Sequence, residues 1–354
     1  MTAHHTFARL AAADPHALLD RFVAKVEGDH DMAFERSADG ARFLESGGFR
    51  ISLAASDAGL LFDLSGPEPG MISFFKEEIA RHLAGLDGTL AESLRWSGET
   101  ARSGALPSNF RVLRVARRSQ PLEHLVRLTM QVTGQGFFER AGLHLRLMLP
   151  AEPGRAPSWP TMAANGAPAW PKGADRLHAR YVTLRSARPA EREVDLDIVS
   201  HGDGLISNWA SVAQPGEEIG AMGPLGMLPK APAERLFLAA DLTGLPGLAR
   251  LLEATGPDTR GHLISETASA DALSAYLPPS RIEVHAVDRA AFAETVLPMA
   301  QRLARPGETD FALFAGEFEA AQSMRRFFGD ELALGKGAQI SAAYWRRGEA
   351  GFDG

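Results

Sequence analysis

Two short stretches combine residue types and spacings that suit the binding of an anionic ligand. The first is a segment of strand-favouring residues that contains Arg180, Thr183 and Arg185. In the second, a glycine-containing stretch ends at Gly204 and precedes Ser207, which the pattern predicts as the N-cap of a helix. A helix start offers backbone N–H groups and the positive end of its dipole to a phosphate. Together they suit the pyrophosphate of a dinucleotide, although a surface strand and an ordinary helix cap would also explain these residues.

Further short motifs accompany these two stretches. They are His201-Gly202, Trp209-Ala210, Gln214-Pro215-Gly216, Gly223-Pro224 with Gly226, the run from Asp241 to Pro246, Ala315-Gly316-Glu317, and the run from Tyr344 to Gly348. In this order, from about Phe110 to Gly348, they resemble the motifs of siderophore-interacting proteins. That family consists of bacterial ferric-siderophore reductases that are related to ferredoxin reductases.

The resemblance implies a fold and an activity. It implies a multidomain chain with a small α+β N-terminal domain, an antiparallel β-barrel that binds FAD, and a doubly wound α/β domain that binds NADPH or NADH. The implied enzyme is an NAD(P)H-dependent flavin oxidoreductase that reduces a ferric siderophore and releases iron as Fe(II). Thr183 would be the catalytic residue, through a hydrogen bond near the reactive nitrogen of the flavin. The residues implied to bind the cofactors are Arg180, Tyr181, Val182, Thr183, Arg185, His201, Gly204, Ser207, Trp209, Asp241, Thr243, Ala315, Gly316, Glu317, Trp345 and Arg346.

Three positions depart from the family's motifs. The tyrosine expected against the flavin ring is replaced by Val182, and Tyr181 is shifted to the other side of the strand. The Gly-Pro of the turn is replaced by Leu205-Ile206, and the acid of a D-E-T motif by Leu242. A second hypothesis therefore stays open: a non-catalytic or weakly flavin-binding relative that acts as a siderophore- or planar-ligand-binding module.

The choice of nicotinamide nucleotide also stays open. Glu266 lies near the end of the predicted second strand of the sheet, where an acid favours the free ribose hydroxyl of NADH. The resemblance favours NADPH, whose extra phosphate would need Arg325 or Arg326. Two of the motifs, Glu317 and the double arginine Arg346-Arg347, also have a purely structural explanation. Glu317 would cap the helix predicted to start near Ala320, and the double arginine would end a strand as solvated charges.

Composition limits the class of protein. The 354 residues suit two or three domains, and 45% hydrophobic with 23% charged residues is typical of a globular protein. A net charge of −7 argues against a nucleic-acid partner. The chain has no cysteine, so it has no disulfide, no thiolate nucleophile and no cysteine-ligated cluster. It also lacks an H-E-x-x-H pair, so we expect no metal site. Since no signal-peptide pattern and no run of 18 apolar residues is present, we expect a cytoplasmic protein with no membrane partner; the oligomeric state stays open.

Residue patterns predict three domains, over 1–95, 105–230 and 233–350. In the first, alternation predicts strands at Arg21–Val26, Phe49–Leu53 and Leu60–Leu64, and 3-4-4 spacing predicts a helix from Ile72 that Gly85 closes. Its role stays unknown. The polar stretch 87–107 is typical of a linker.

Alternation at 126–132 and 143–149 predicts barrel strands, and the acidic run 193–199 predicts another. The long loop 150–173 carries Trp159 and Trp170, which would either cover a ligand or hold the loop to the barrel. After Arg235, the apolar run 236–240 and a strand–helix rhythm predict a parallel sheet, whose ligands bind at the C-terminal ends of its strands. Helices are predicted at 292–303 and 320–332 and the last strand at 340–345.

Overall fold

The computed structural model describes residues 4–29, 33–46, 48–67, 69–97, 103–134, 142–202, 204–228, 234–267, 269–335 and 337–349. They form two compact units. The first takes its residues from Met1–Phe110 and Pro150–His178, and the second from Arg111–Leu149 and Ala179–Gly354. Within this described part of the chain, no helix combines the length and the apolar character that crossing a membrane requires.

The first unit is an antiparallel sheet with helices packed on it. Its elements are β1 (His4–Leu10), α1 (Pro15–Asp29), β2 (Glu35–Arg36), β3 (Arg42–Ser46), β4 (Phe49–Ser56), β5 (Gly59–Gly66), α2 (Pro69–Leu86) and α3 (Gly88–Ser93). The strands are ordered β1-β5-β4-β3-β2. In the core, the ring of Phe22 on α1 meets the ring of Phe62 edge to face at 5.3 Å. The predicted α+β unit is thus present.

Two predictions for this unit are wrong. The segment Arg21–Val26 is helical, because Leu18 and Leu19 join Phe22, Val23 and Val26 in a buried stripe of helical period that a six-residue window does not show. The predicted linker contains α3, whose N-cap Asp87 accepts a hydrogen bond from the backbone N–H of Thr89 at 2.9 Å. Residues 98–102 of that stretch lie outside the described residues.

A closed antiparallel barrel begins the second unit. Its chain runs through β6 (Phe110–Leu122), β7 (Leu125–Val132) and β8 (Gly142–Pro150), the short connecting pair β9 (Thr161–Met162) and β10 (Pro168–Ala169), and then β11 (Leu177–Arg188), β12 (Glu193–Val199), α4 (Leu205–Val212) and β13 (Glu218–Met227). The barrel order is β11-β12-β7-β6-β13-β8. Alternate residues such as Leu145, Leu184 and Leu196 fill its interior, together with Ile206 and Ala210 of α4.

The long connection between β8 and β11 belongs to the first unit. Its Trp159 ring lies 5.3 Å from the ring of Phe110, and Trp170 donates its indole N–H to Glu77 of α2 at 2.7 Å. The second contact fixes the connection to the helix of its own unit. Trp159 thus packs against the first residue of strand β6, in keeping with the clamping role considered for it, whereas Trp170 is held inside the first unit. The role of covering a ligand stays a prediction.

A five-stranded parallel sheet completes the second unit. Its elements are β14 (Arg235–Ala240), α5 (Leu245–Thr255), β15 (Arg260–Glu266), α6 (Ala270–Tyr276), β16 (Arg281–Val287), α7 (Phe292–Leu303), β17 (Phe311–Glu317), α8 (Phe318–Arg326) and β18 (Gln339–Trp345). The strand order is β16-β15-β14-β17-β18. From β14 the chain first adds strands on one side and then, at β17, on the other, so the switch point lies between β14 and β17. Leu236 and Leu238 face a core shared with α5 and α6, while Phe237 and Ala239 face α7 and α8. The fold class predicted from the sequence is confirmed.

Candidate active site

The outer face of the barrel meets the sheet at three polar side chains. His144 on β8 has its Nδ1 3.5 Å from the hydroxyl of Thr183 on β11, and its Nε2 3.5 Å from the hydroxyl of Tyr344 on β18. The imidazole and the phenol ring pack edge to face, with centroids 5.4 Å apart. Because His144 precedes the interior residue Leu145, strand alternation places it on the outward side, from which the sheet approaches.

The surroundings of this cluster keep its groups uncharged at neutral pH. Burial and the nearby charge of Arg250 lower the pKa of His144 to about 4. Burial and the carboxyl of Asp241 raise the pKa of Tyr344 above its usual range. A neutral imidazole donates through one nitrogen and accepts through the other. His144 can thus link the hydroxyls of Thr183 and Tyr344. Sequence reasoning missed it, although a polar residue amid alternating leucines is a usable signal.

The two faces of β11 differ from the expected assignment. Tyr181 is exposed, and the guanidinium of Arg146 on β8 lies 5.6 Å from the centre of its ring. Val182 is buried among the barrel's interior residues. Tyr181 and Val182 do point to opposite sides, as the alternation requires. However, the accessible aromatic ring beside Thr183 is that of Tyr181, so the expectation that position 182 presents the ligand-facing side chain is corrected.

Arginines hold the junction between the barrel and α5. Arg250 of α5 is buried and donates to the backbone carbonyls of Gly142 at 2.6 Å and Leu184 at 2.9 Å. Arg185 donates to Glu253 at 2.7 Å, and its Nε has no hydrogen-bond partner among the described residues. Among the described residues, Arg180, also predicted as an anion ligand, donates to the neighbouring carbonyl of Ala179. Arg185 is therefore engaged in joining the two domains as well as facing the site.

A second buried node joins the barrel to α6. Asp197 of β12 accepts two hydrogen bonds of 2.7 Å from Arg127 and one of 2.6 Å from the hydroxyl of Tyr276. The guanidinium of Arg185 lies 5.5 Å from the centre of the Tyr276 ring. Since a bidentate, charge-assisted pair resists distortion, this node fixes the sheet relative to the barrel face that carries Thr183.

The helix predicted to bind a phosphate starts earlier than expected. Gly204 is the N-cap of α4, so the prediction of Ser207 as N-cap is wrong. The Ser207 hydroxyl donates to the carbonyl of Val199 and accepts from the backbone N–H of His201, which ties the helix to the end of β12. Trp209 donates to Glu217 at 2.8 Å. Glycine has no side chain with which to cap the first amides, so the helix start retains the geometry that suits an anion.

At the sheet's switch point, a buried carboxyl organises the loop after β14. One oxygen of Asp241 accepts from the backbone N–H of Thr243 at 2.8 Å and from its hydroxyl at 2.5 Å. The other oxygen accepts the indole N–H of Trp345 at 2.8 Å. A side chain at Gly316 would approach that oxygen to 2.6 Å, so only glycine fits there. Desolvation raises the pKa of Asp241.

Glu266 ends β15, as predicted, but its carboxyl is buried. It lies 3.2 Å from the guanidinium of Arg289. Burial, followed by the charge of Asp241, raises its pKa to about 7. A carboxyl in this position would be only partly ionised at neutral pH. The two arginines considered for a nucleotide phosphate lie in the last turn of α8, with Arg325 donating to the carbonyl of Ser341 and Arg326 to the hydroxyl of Ser323.

The remaining predicted residues lie at the ends of β17 and β18. Glu317, which follows the buried residues Ala315 and Gly316, is the N-cap of α8 and accepts from the amides of Glu319 and Ala320. The structural explanation considered for Glu317 is therefore confirmed. Strand β18 ends at Trp345, where the sequence predicted its end, so Arg346 and Arg347 follow the strand. The guanidinium of Arg346 lies 4.4 Å from the centre of the Phe318 ring.

Comparisons with known proteins match both domains of the second unit. Residues 114–228 match the siderophore-interacting FAD-binding domain, and residues 233–348 match the siderophore-interacting protein domain. The chain is 28% identical to the ferric vibriobactin reductase of Vibrio cholerae over 249 residues, which covers 68% of this chain and 90% of that protein. It is 29% identical over 245 residues to the NADPH-dependent ferric-chelate reductase of Escherichia coli, covering 66% and 91%.

A solved structure shares this arrangement of barrel and sheet. It is the siderophore-interacting protein of Aeromonas hydrophila, which superposes with a TM-score of 0.55 at 25% identity and covers 68% of this chain and 93% of that one. Both matched domains follow in the family's order and include the His144, Thr183 and Tyr344 cluster. The chain belongs to the siderophore-interacting protein family.

Proposed function

We propose that the protein is an FAD-dependent, NAD(P)H-consuming ferric-siderophore reductase that releases iron as Fe(II). The observation that carries this is the approach of Tyr344, at the end of the parallel sheet, to His144, which also lies beside Thr183 on the outer face of an FAD-binding-type barrel. The relatives named ferric vibriobactin reductase and NADPH-dependent ferric-chelate reductase support the same reaction. When bound, FAD would take a hydride from the nicotinamide nucleotide and deliver single electrons to ferric iron.

The residues on the barrel fit a flavin. Thr183 offers a hydroxyl and Tyr181 an accessible ring on the same outward face, while the N-cap Gly204 has no side chain to cap the start of α4, which we assign to a phosphate. We assign Arg180 and Arg185 to the anionic part of FAD, where Arg185 still has an unpartnered buried Nε among the described residues. His201, Ser207 and Trp209 fix α4, and we assign them to positioning that helix.

In this assignment His144 orients the Thr183 hydroxyl. The imidazole is uncharged at neutral pH, so it neither adds a positive charge nor draws water to the site. The hydroxyl of Tyr344, on the sheet, contacts the second ring nitrogen of His144, Nε2. His144 and Tyr344 therefore fix the position of the Thr183 hydroxyl before any ligand arrives, which is the kind of preorganisation that positions a reacting group.

The nicotinamide side lies at the switch point of the sheet, where ligands of open α/β sheets bind. We assign Asp241, Thr243, Ala315, Gly316, Glu317, Trp345 and Arg346 to that side. We propose NADPH rather than NADH, because the carboxyl of Glu266 is buried beside Arg289 and is only partly ionised. The name of the Escherichia coli relative supports this choice.

The assignment extends to the domains and their location. We propose that 105–230 binds FAD and 233–350 binds the nucleotide; the role of 1–95 stays open. A cytoplasmic location follows from the reaction, since NADPH is supplied there. A ferric siderophore is the substrate that the relatives' names support.

An absorption spectrum and a coupled assay test this function. The purified protein, incubated with FAD, should show a flavin spectrum that NADPH bleaches without oxygen. A ferric chelate with a colour-forming Fe(II) trap should then report NADPH-dependent reduction. We expect Thr183→Val to retain FAD but to lose at least about tenfold in kcat, as removal of a positioned donor does. The matched control Thr255→Val, on the last turn of α5, should keep full activity. A protein that binds no FAD would overturn the proposal and favour a planar-ligand-binding module.

A further inference from the structure

Three possible metal ligands meet on two neighbouring strands of the parallel sheet. Glu283 and His285 are two residues apart on β16, so they share one face, and His262 on β15 pairs directly with Glu283. One ligand atom from each lies within 4.8 Å of the others. The Nδ1 of His262 lies 3.2 Å from both the Nε2 of His285 and a carboxylate oxygen of Glu283.

These distances are those of metal ligands. Zinc–nitrogen bonds of about 2.0–2.1 Å in a tetrahedral site place neighbouring ligand atoms about 3.3 Å apart. A single proton on His262 Nδ1 can satisfy only one of its two neighbours well, whereas a cation accepts lone pairs from all three. We propose that His262, Glu283 and His285 bind a divalent transition-metal cation.

The surroundings suit such a cation. His262 pairs on its other side with Phe237 of β14, which is fully buried and gives the site an apolar inner wall. Glu283 is exposed on the edge strand, which gives the cation access from solvent. Two imidazoles and one carboxylate select zinc or Fe(II) over magnesium or calcium.

The cluster lies apart from the proposed reductase site. His262 is four residues before Glu266 on the same strand, roughly 13 Å away at a strand rise of about 3.3 Å per residue. It therefore lies toward the opposite end of the sheet from the switch point. Sequence reasoning expected no metal because the ligands come from two strands and match no contiguous motif. The inference does not depend on the proposed reductase activity.

Equilibrium dialysis of the full chain, free of affinity tags and pretreated with a chelator, tests the site. Zinc and, in a separate anaerobic experiment, Fe(II) are the probes. We expect about one equivalent of zinc to bind, and Glu283→Gln and His285→Gln each to weaken binding at least tenfold. His124→Gln is the matched control, because among the described residues its imidazole pairs with a single carboxylate, that of Glu123 at 3.5 Å. That variant should bind like the wild type.

Cobalt(II) gives a second readout, since the visible absorption of a tetrahedral cobalt site should appear in the wild type and disappear in Glu283→Gln. Glu283 is exposed, so this variant should fold, which its circular dichroism would verify. Binding of Fe(II) at the same site would identify the reaction's product as one of its ligands, whereas zinc binding alone would assign it to zinc. Absence of stoichiometric binding of either metal, or equal binding by the wild type and Glu283→Gln, would overturn the proposal.

Discussion

Trp345, the last residue of β18, donates its indole N–H to the buried carboxyl of Asp241 at 2.8 Å. The two residues are 104 positions apart, and their hydrogen bond joins the ends of two strands across the switch point of the sheet. The same carboxyl holds the backbone and hydroxyl of Thr243. Asp241 therefore shapes the loop that we assign to the nucleotide, and Trp345 supports it from the far strand.

Trp345→Phe should destabilise this loop. The substitution keeps the aromatic ring but leaves one oxygen of a buried carboxyl without its donor, which should cost roughly 1–3 kcal/mol. Chemical denaturation of the apoprotein would measure it. Trp209→Phe is the control, because it removes an indole N–H from the exposed Glu217 and should cost less. Equal losses in the free energy of unfolding for the two variants would show that the hydrogen bond to Asp241 stabilises the protein no more than an exposed one does.

The two neighbours on β11 should respond differently to substitution. Tyr181→Ala removes an accessible ring and should weaken FAD binding by a few-fold to about tenfold, equivalent to roughly 0.5–1.5 kcal/mol. Val182→Tyr instead forces a large ring among barrel residues and should lower the melting temperature, as overpacking does. Fluorescence titration with FAD and thermal unfolding separate the two effects. Tighter FAD binding by Val182→Tyr would restore the original expectation for that position.

Periodicity is local, and the parts of the fold that it governs were predicted well. Helix α7 occupies 292–303 as predicted, and β14 is apolar on both faces because it is covered on both. The wrong predictions, for α1 and for the start of α4, depend on residues outside the short sequence segment from which each was made. The helical period of α1 is visible only when Leu18 and Leu19 are counted with the later apolar residues. Helix α4 starts at Gly204 and not at Ser207, whose hydroxyl bonds to β12.

The candidate site was predicted only as separate motifs. His144 and Tyr344 are 200 residues apart, and their contact depends on how α5 and α6 attach to the barrel through Arg250 and Tyr276. No spacing in the sequence encodes that geometry. The raised pKa of Glu266 likewise depends on its burial near Asp241, which a strand-end position alone does not reveal.

Glu266 should make folding stability fall as the pH rises. Its folded-state pKa of about 7 exceeds its ordinary value of 4.5. Its contribution is thus fully present below pH 4.5 and lost as the pH approaches 7, by at most about 3 kcal/mol. Glu266→Gln should therefore raise the melting temperature at pH 8 more than at pH 4. Exposed Glu234→Gln is the control, and an unchanged pH profile in Glu266→Gln would contradict the buried placement.

His144 should act in the opposite direction. Its folded-state pKa of about 4 lies below its ordinary value of 6.5, so the unfolded chain binds the proton first as the pH falls. Stability contributed by the neutral ring is present above pH 6.5 and lost toward pH 4. His144→Gln should remove this loss, which thermal unfolding between pH 4 and pH 7 would detect. A variant as acid-sensitive as the wild type would show that the ring is not desolvated.

The double arginine after β18 gives the last test. Arg346 lies over the ring of Phe318 and within 3.9 Å of Glu319, at the start of α8 beside the residues assigned to the nucleotide. In the described part of the chain, Arg347 donates its backbone N–H to Glu317. A charge-assisted contact from Arg346 to a nucleotide phosphate is worth roughly 1.5–3 kcal/mol. Arg346→Ala should therefore raise the apparent KM for NADPH about tenfold or more, and Arg347→Ala should change it little.

A control on the ring decides whether the charge acts directly. Phe318→Leu removes the cation–π contact of Arg346 but keeps its charge. If Arg346 binds the nucleotide, Phe318→Leu should raise KM much less than Arg346→Ala, and kcat should change little in both. Equal increases would mean that Arg346 acts by holding the turn in place. Small, equal effects of Arg346→Ala and Arg347→Ala would leave the segment as a strand end with solvated charges, and the nucleotide contact assigned to Arg346 would then be wrong.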